Sequence, residues 1–260
     1  MHTYLCGMSF PKRYFIEFSY NGTDYHGWQK QPDAITVQEK LEEGLSLLLK
    51  QPILTTGAGR TDAGVHAKQM FAHFDLEQPA NLENIVYRLN RWLPVDISVF
   101  ELYEVGNEDH ARFDATSRSY EYHIHLRPDP FFNKNSYILY RKPDFDIMQE
   151  AAQKLLGTQD FKCFSRSKTQ VKTYICTVTE ARFETDGHHV IFHITADRFL
   201  RNMVRAVMGT LLEIGYGKKS LDDLDRIIQS RDRNQAGPSA PSLGLYLSMI
   251  VYPDRVPLHS

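Results

Sequence analysis

The pattern of apolar and polar positions in the first hundred residues predicts the order strand, helix, strand, strand, helix, strand. Alternation of apolar and polar residues indicates half-buried strands, and apolar residues at helical spacing indicate amphipathic helices. Thr36 followed by Glu39 is a capping-box signal for a helix that extends to about Lys50, and Asn81 opens a second helix. The predicted strands are 14–20, 53–56, 70–76 and 97–103.

The rest of the chain repeats this order with one additional helix. Asp186-Gly187 lies between two apolar runs and is a strong signal for a tight hairpin. Gly157 is predicted to end the first helix, and Ser220 with Asp223 to cap the third. The predicted strands are 120–126, 174–185, 188–196 and 245–251, and the first two helices are 145–156 and 199–214.

Each half of the chain therefore looks like a split strand–helix–strand unit, the ferredoxin-like βαββαβ arrangement. This predicts an α+β protein with two such halves and mainly antiparallel sheets. Polar residues replace the periodic pattern at 105–111, which divides the chain into an N-terminal domain, 1–108, and a C-terminal domain, 109–260. The N-terminal domain would carry a glycine-rich loop at 57–68.

Composition narrows the class of protein. Hydrophobic residues make up 42% of the 260 residues and charged residues 24%, as in ordinary globular proteins. No apolar run approaches the 18 residues of a membrane span, and the first residues lack a signal-peptide pattern, so we expect a cytoplasmic protein. Three widely spaced cysteines form neither a disulfide framework nor a zinc pattern.

The net charge of −2 is not the basic balance that nucleic-acid-binding domains usually show. The basic residues are nevertheless clustered, because the segments 161–179 and 198–205 carry several lysines or arginines and contain no acid. Such clustering can present one basic face to a phosphate backbone. Charge alone leaves open the alternative that these side chains form an ordinary solvated rim.

The connection GAGRTDAGVHA, at 57–67, is long and rich in glycine where the second half needs only a two-residue turn. Loops of this kind commonly serve a function. Asp62 is the sole acid between Lys50 and Phe74, and Arg60 and Lys68 are its basic neighbours in the chain. We expect it to stay ionised and to act as a nucleophile or base. The alternative is an aspartate that merely closes a turn.

Two chemical alternatives follow from the same loop. Asp62, His66 and His73 supply possible metal donors, but no second carboxylate is near and His73 is predicted to lie on the polar face of a strand. Hydrolysis of a glycosidic bond normally needs two carboxylates, and this loop offers one. A lone carboxylate with an arginine suits a reaction in which a departing base is recaptured.

GAGRTDAGVHA resembles the active-site motif of the tRNA pseudouridine synthase A (TruA) family, and the resemblance extends along the chain. Four further segments are similar to that family's motifs and occur in the same order. They are YNGTDYHGWQKQ with TVQE (20–31 and 36–39), HARFDATSRSYEYHI (110–124), FLRNMVRAVMGTLLEIG (199–215) and APSLGLYL (240–247).

The resemblance implies two ferredoxin-like halves joined around a central cleft and a homodimer that binds tRNA. It also implies isomerisation of uridine to pseudouridine at positions 38, 39 and/or 40 of the anticodon stem-loop. This reaction needs no cofactor or metal, and the target nucleotide is flipped out of its stem.

The resemblance also assigns roles to single residues. Asp62 would be the catalytic carboxylate and Arg60 would assist base flipping. Tyr120 would stack on the uracil and remove the carbon 5 proton, although its strand position alone favours a place in the core. Arg205 would pair with Asp62, since an arginine on an apolar helix needs a carboxylate, with a solvated arginine stripe as the alternative. Further candidates for RNA contact, with ordinary surface charge as the alternative, are Arg112, Arg118 and Lys168.

Overall fold

The computed structural model describes residues 11–166 and 172–258, and within these ranges it has ten strands and five helices. The strands are β1 (Lys12–Tyr20), β2 (Thr56–Gly57), β3 (His66–Leu76), β4 (Ile97–Val105), β5 (Ser117–His125), β6 (Tyr137–Ile138), β7 (Gly157–Asp160), β8 (Ile175–Asp186), β9 (His189–Ala196) and β10 (Leu245–Val251). The helices are α1 (Val37–Leu49), α2 (Ile85–Trp92), α3 (Phe145–Gln153), α4 (Met203–Gly215) and α5 (Leu221–Ser230).

All ten strands belong to one sheet, in the order β4-β1-β3-β10-β5-β9-β8-β7, with β2 beside β3 and β6 beside β5. Most neighbours are antiparallel. The central junction is the exception among the long strands, because β10 runs parallel to β3, pairing Tyr246 with His66 and Leu247 with Ala67. The last strand of the chain therefore joins the sheet of the first half to the sheet of the second. The protein is a mixed α/β structure built on a large, mostly antiparallel sheet.

Two apolar clusters hold the structure together, one in each half. The first includes Leu41 and Leu45 of α1 and Phe18 of β1. The second includes apolar residues of α3 and α4 together with the fully buried Tyr122 of β5 and Phe192 of β9. Each fully buried large apolar side chain contributes about 1.5–3 kcal/mol to stability, so these clusters fix the sheet faces from which the loops of the site emerge.

Several predicted element boundaries need correction. The helix predicted from Phe199 begins at Met203, because Asn202 adopts a left-handed conformation with φ 66° and breaks the helical path. The helix predicted from Asn81 begins at Ile85 behind a similar left-handed residue, Asn84. The second strand is the two-residue β2 rather than 53–56, the helix predicted to reach Leu156 ends at Gln153, and the short strands β6 and β7 were not predicted.

The capping predictions are confirmed. The Thr36 hydroxyl accepts from the backbone of Glu39 at 3.3 Å, although the reciprocal glutamate bond is not formed. Ser220 and Asp223 form both bonds of a capping box at the start of α5. The hairpin at Asp186-Gly187 joins β8 to β9. Within the described residues, the helices are too short and too polar to span a bilayer.

His73 lies in the core, so the prediction that it occupies the polar face of a strand is wrong. It is 7% exposed, packs against Phe15 and His110, and its Nδ1 accepts from the backbone N–H of Ala111 at 3.2 Å. Burial lowers the pKa of His73 to about 4. The ring is therefore neutral in the folded protein at neutral pH.

We expect acid to destabilise the fold through His73. Its folded pKa lies below the unfolded value of 6.5, so the unfolded chain binds more protons between pH 6.5 and about pH 4. The stabilisation is complete above pH 6.5 and is lost as pH falls to about 4, a change of about 3 kcal/mol at most. Urea unfolding at several pH values measures this. His73→Asn, which keeps an acceptor for Ala111, should flatten the dependence, whereas the exposed His26→Ala should not.

Candidate active site

The glycine-rich loop between β2 and β3 is pinned at three points. Ala58 donates its N–H to the Phe71 carbonyl at 2.8 Å, which extends the pairing of β2 with β3. The Thr61 hydroxyl lies 2.9 Å from the hydroxyl of Tyr20. Gly64, at φ +74°, donates its N–H to the Tyr25 carbonyl at 3.2 Å. Between these points, Gly59 and Arg60 project outward.

The segment that follows β1 packs tightly under this loop. A Cβ on Gly27, which has φ +89°, would lie 2.4 Å from the carbonyl oxygen of Thr61, so only glycine fits. Trp28 is 2% exposed and its indole lies against Gly57. Trp28 is thus a packing residue, whereas His26, two residues before it, is exposed.

Asp62 lies between two guanidinium groups. Its Oδ2 is 3.6 Å from Nη1 of Arg205, and its Oδ1 is 3.9 Å from Nε of Arg201. The side chain of Asp62 is 27% exposed and that of Arg205 22%, whereas that of Arg201 is 58% exposed. Arg205 therefore lies next to Asp62 as predicted, and the carboxylate remains accessible to a ligand. Partial burial makes the Arg205 interaction less screened than the Arg201 interaction.

Arg205 is itself held in place by the backbone ahead of β10. Its Nε donates to the carbonyl of Ala240 at 2.7 Å, and the N–H of Ala240 donates to the carbonyl of Arg205 at 2.9 Å. Because one N–H of the guanidinium is used in this bond, the group has a fixed orientation. The segment before β10 therefore orients the arginine of α4 that lies beside the carboxylate of Asp62.

Tyr120 lies on β5 beside this carboxylate. Its ring meets that of Phe199 edge-on, with centroids 4.9 Å apart. Burial raises the pKa of Tyr120 to about 12, and the negative charge of Asp62 adds to the rise. The phenol is therefore protonated at neutral pH and lies close enough to Asp62 to be affected by its charge.

The remaining predicted site residues are not gathered around Asp62 in the same way. Arg60 is exposed on the loop, and Arg112 is exposed with its guanidinium 5.7 Å from the Phe113 ring. Arg118 points inward to backbone carbonyls. Lys168 lies outside the described residues. The predicted contacts of Arg60, Arg112, Arg118 and Lys168 with RNA remain predictions.

His66 acts as a structural pin. Its Nδ1 accepts from the N–H of Gly22 at 3.1 Å, so Nε2 carries the proton and donates to the carbonyl of Leu243 at 3.0 Å. Burial lowers the pKa of His66, which favours this neutral form. The ring thereby ties together the loop after β1, the start of β3 and the segment before β10.

The metal hypothesis based on Asp62, His66 and His73 gains no support. Both ring nitrogens of His66 are occupied by backbone groups, and His73 accepts from the backbone inside the core. Within 11–166 and 172–258, no group of three or more histidine, cysteine, aspartate or glutamate side chains is arranged to hold a metal ion.

Two neighbours of the site were missed from sequence. The sequence analysis assigns no role to Arg201, although it stands four residues before Arg205 and this spacing is a usable signal. Phe199, which packs on Tyr120, is part of the motif FLRNMVRAVMGTLLEIG but received no role. Both precede α4, because the helix begins only after the left-handed Asn202.

Comparison with known proteins gives consistent matches over most of the chain. The family model described as tRNA pseudouridine synthase matches residues 151–253. A protein named tRNA pseudouridine synthase A from Parabacteroides distasonis is 46% identical over 94% of this chain and 98% of its own length. Proteins of the same name from Porphyromonas gingivalis and Bacteroides fragilis are 49% and 47% identical, over 93% and 94% of this chain and 97% and 98% of their own lengths.

Proposed function

The chain belongs to the tRNA pseudouridine synthase A family of isomerases, and on that premise we propose that it converts uridine to pseudouridine at positions 38, 39 and/or 40 of the tRNA anticodon stem-loop. The observation that carries this proposal is the carboxylate of Asp62, presented by a pinned loop beside Arg205 of the other half. The carboxylate is accessible, and its ion-pair partners among the described residues are the guanidinium groups of Arg205 and Arg201.

Such a site suits an isomerisation better than a hydrolysis. The bond between the ribose and N1 of uracil breaks, the base turns, and carbon 5 bonds to the ribose. Carbon 5 loses one proton and N1 gains one, so nothing is consumed. Hydrolysis would need a second carboxylate to activate water. Asp62 acts as nucleophile on the uracil ring or the sugar, or as the base that removes a proton.

The target uridine must leave its stack to reach Asp62. Arg60 is exposed two residues before Asp62, and we assign it to occupy the space left by an extruded nucleotide. Extrusion costs a few kcal/mol, which contacts with the phosphate backbone would offset. We assign such contacts to Arg112, which is exposed, and to Lys168, which lies outside the described residues.

Tyr120 supplies a ring that can stack on the flipped uracil and a hydroxyl that can relay a proton. Because its pKa is raised to about 12, the hydroxyl can accept the carbon 5 proton only while releasing its own. We expect Tyr120→Phe to keep the stacking and to lower kcat about 100-fold, the usual size of a lost proton-transfer group, with KM nearly unchanged. Single-turnover assays measure this. Tyr140→Phe, which alters an exposed ring, is the control and should leave kcat unchanged. An unchanged kcat for Tyr120→Phe would contradict the proton-transfer role of Tyr120.

The larger architecture is part of the same proposal. We assign residues 1–108 and 109–260 to two ferredoxin-like domains around a cleft, with two chains forming a homodimer on tRNA. In support, the first strand of each half lies between two later strands of that half, β1 between β4 and β3, and β5 between β10 and β9. Sedimentation of the protein with and without tRNA tests the dimer.

The direct test is incubation of the protein with unmodified tRNA, without nucleotide and in the presence of EDTA, followed by mapping of pseudouridine. We expect modification at one or more of positions 38, 39 and 40. Modification elsewhere would contradict the assigned positions. Binding of tRNA without any modification would show an RNA-binding module, and dependence on a metal would show a different chemistry.

A further inference from the structure

The guanidinium of Arg118 is the meeting point of three segments that frame the candidate site. Each of its acceptors is a backbone carbonyl oxygen. Nη1 donates to Ala115 at 2.8 Å and Asp197 at 3.1 Å, and Nη2 donates to Ala58 at 3.3 Å and to Arg112. We propose that Arg118 is a positioning residue that fixes the catalytic loop of the first half against the second half.

The three segments each lead to a residue of the site. Ala58 lies four residues before Asp62, in the glycine-rich loop. Asp197 begins the connection from β9 to α4, which carries Arg201 and then leads to Arg205. The third segment, 112–115, leads directly into β5. Arg118 itself stands two residues before Tyr120, on the same face of β5. One guanidinium thus sets the relative positions of the carboxylate, its arginines and the tyrosine.

Ala58 is well suited to transmit this constraint. It is 1% exposed, its N–H is bonded to Phe71 of β3, and its carbonyl is bonded to Arg118 of β5. Gly57 and Gly59 on either side leave the backbone free to turn. Without the bond from Arg118, the loop is anchored on this side only to its own half of the sheet.

The electrostatics also favour a positioning role. Among the residues that the structure describes, no carboxylate lies within ion-pair distance of Arg118, and desolvation lowers its pKa. A desolvated charge is retained at a cost unless other groups compensate it. Here carbonyl dipoles do so. All four Nη hydrogens are used in these bonds, which leaves Nε alone for a phosphate.

Arginine is required for this geometry. Its planar fork presents donors in fixed directions to carbonyls on separate segments, whereas lysine offers three donors from a single nitrogen atom. We therefore expect Arg118→Lys to restore folding but only part of the positioning. Arg118→Met removes the fork altogether while keeping an unbranched side chain.

The inference rests on the proposed function, and its test includes a measurement that does not. We expect Arg118→Met to lower kcat for pseudouridine formation about 10–100-fold, as small displacements of catalytic groups do, with Arg118→Lys intermediate. The Kd for tRNA and its salt dependence should stay at wild-type values. Trypsin should cut the native protein faster after Arg60, because the loop is less restrained. Arg91→Met, which removes an exposed guanidinium at the end of α2, a residue with no assigned role in the site or in RNA contact, should change neither kcat nor trypsin cleavage after Arg60.

Other outcomes would overturn the inference. If Arg118 contacts a phosphate, Arg118→Met should weaken binding and reduce the slope of log K against log salt by about 0.7–0.9, with kcat intact. Unchanged kcat and unchanged cleavage at Arg60 would also overturn it. If Arg118→Met fails to fold, kcat, the Kd for tRNA and cleavage after Arg60 are compared between Arg118→Lys and the wild-type protein instead. If the wild-type protein makes no pseudouridine, the proposed function fails, and the cleavage rates still test whether Arg118 restrains the loop.

Discussion

Asp62→Asn is expected to abolish pseudouridine formation while tRNA still binds. The substitution keeps the shape of the side chain and removes the negative charge and the nucleophilic oxygen. With the charge lost, the guanidinium groups of Arg205 and Arg201, 3.6 and 3.9 Å away, no longer face a counter-ion. We expect kcat to fall by at least about 10⁴-fold, the upper range for a single acid–base group, because here one carboxylate carries the bond-breaking step.

Binding should change little, because most affinity for tRNA comes from cations on the protein surface and not from an acid. Filter binding for Kd and a tritium-release assay for carbon 5 separate the two effects. Asp186→Asn, at the exposed tip of the hairpin between β8 and β9, is the matched control and should remain active. Activity within tenfold of wild type for Asp62→Asn, with deamidation excluded by mass spectrometry, would remove Asp62 from the mechanism.

The parts of the fold that the sequence predicts well depend on local physics. The alternation from Tyr14 to Tyr20 and the caps at Thr36 and Ser220 involve residues close in the chain, so their pattern directly reflects the structure. The motif around Asp62 also identifies the loop. Its approach to Arg205 was expected from the need of an apolar helix to pair a charge, and the distance of 3.6 Å agrees with that reasoning.

The errors arise where distant segments decide the outcome. A left-handed turn at Asn202 delays the start of α4, and Arg201 just before it lies near the carboxylate. Asparagine adopts this conformation more readily than most residues, but the continuous apolar pattern of 199–214 predicts an uninterrupted helix. Arg118 has the sequence context of a surface cation beside a strand. Only the fold shows that four carbonyls from three segments surround it. β7 is a strand because it pairs with the edge of β8, and its own residues do not predict that pairing.

Arg205→Leu is expected to have the second-largest effect on catalysis. It removes the cation 3.6 Å from Asp62 and the bond from Nε to the carbonyl of Ala240. The carboxylate then loses its partly buried partner and its fixed direction. Loss of one preorganised electrostatic group typically lowers kcat by about 10²–10³-fold, and we expect a decrease of that size with little change in KM. Steady-state assays on tRNA, with thermal unfolding as a check of folding, measure it.

Arg201→Leu is the matched comparison, because it removes a guanidinium at a similar distance from the same carboxylate. Its side chain is 58% exposed against 22% for Arg205, so water and salt screen its interaction with Asp62 more strongly. We expect less than about a tenfold decrease in kcat, as for an exposed ion pair of at most about 1 kcal/mol. Equal losses for the two substitutions would show that proximity to Asp62, and not burial and fixed orientation, decides the contribution of an arginine at this site. A larger loss for Arg201→Leu would assign the principal partnership to the residue that precedes α4.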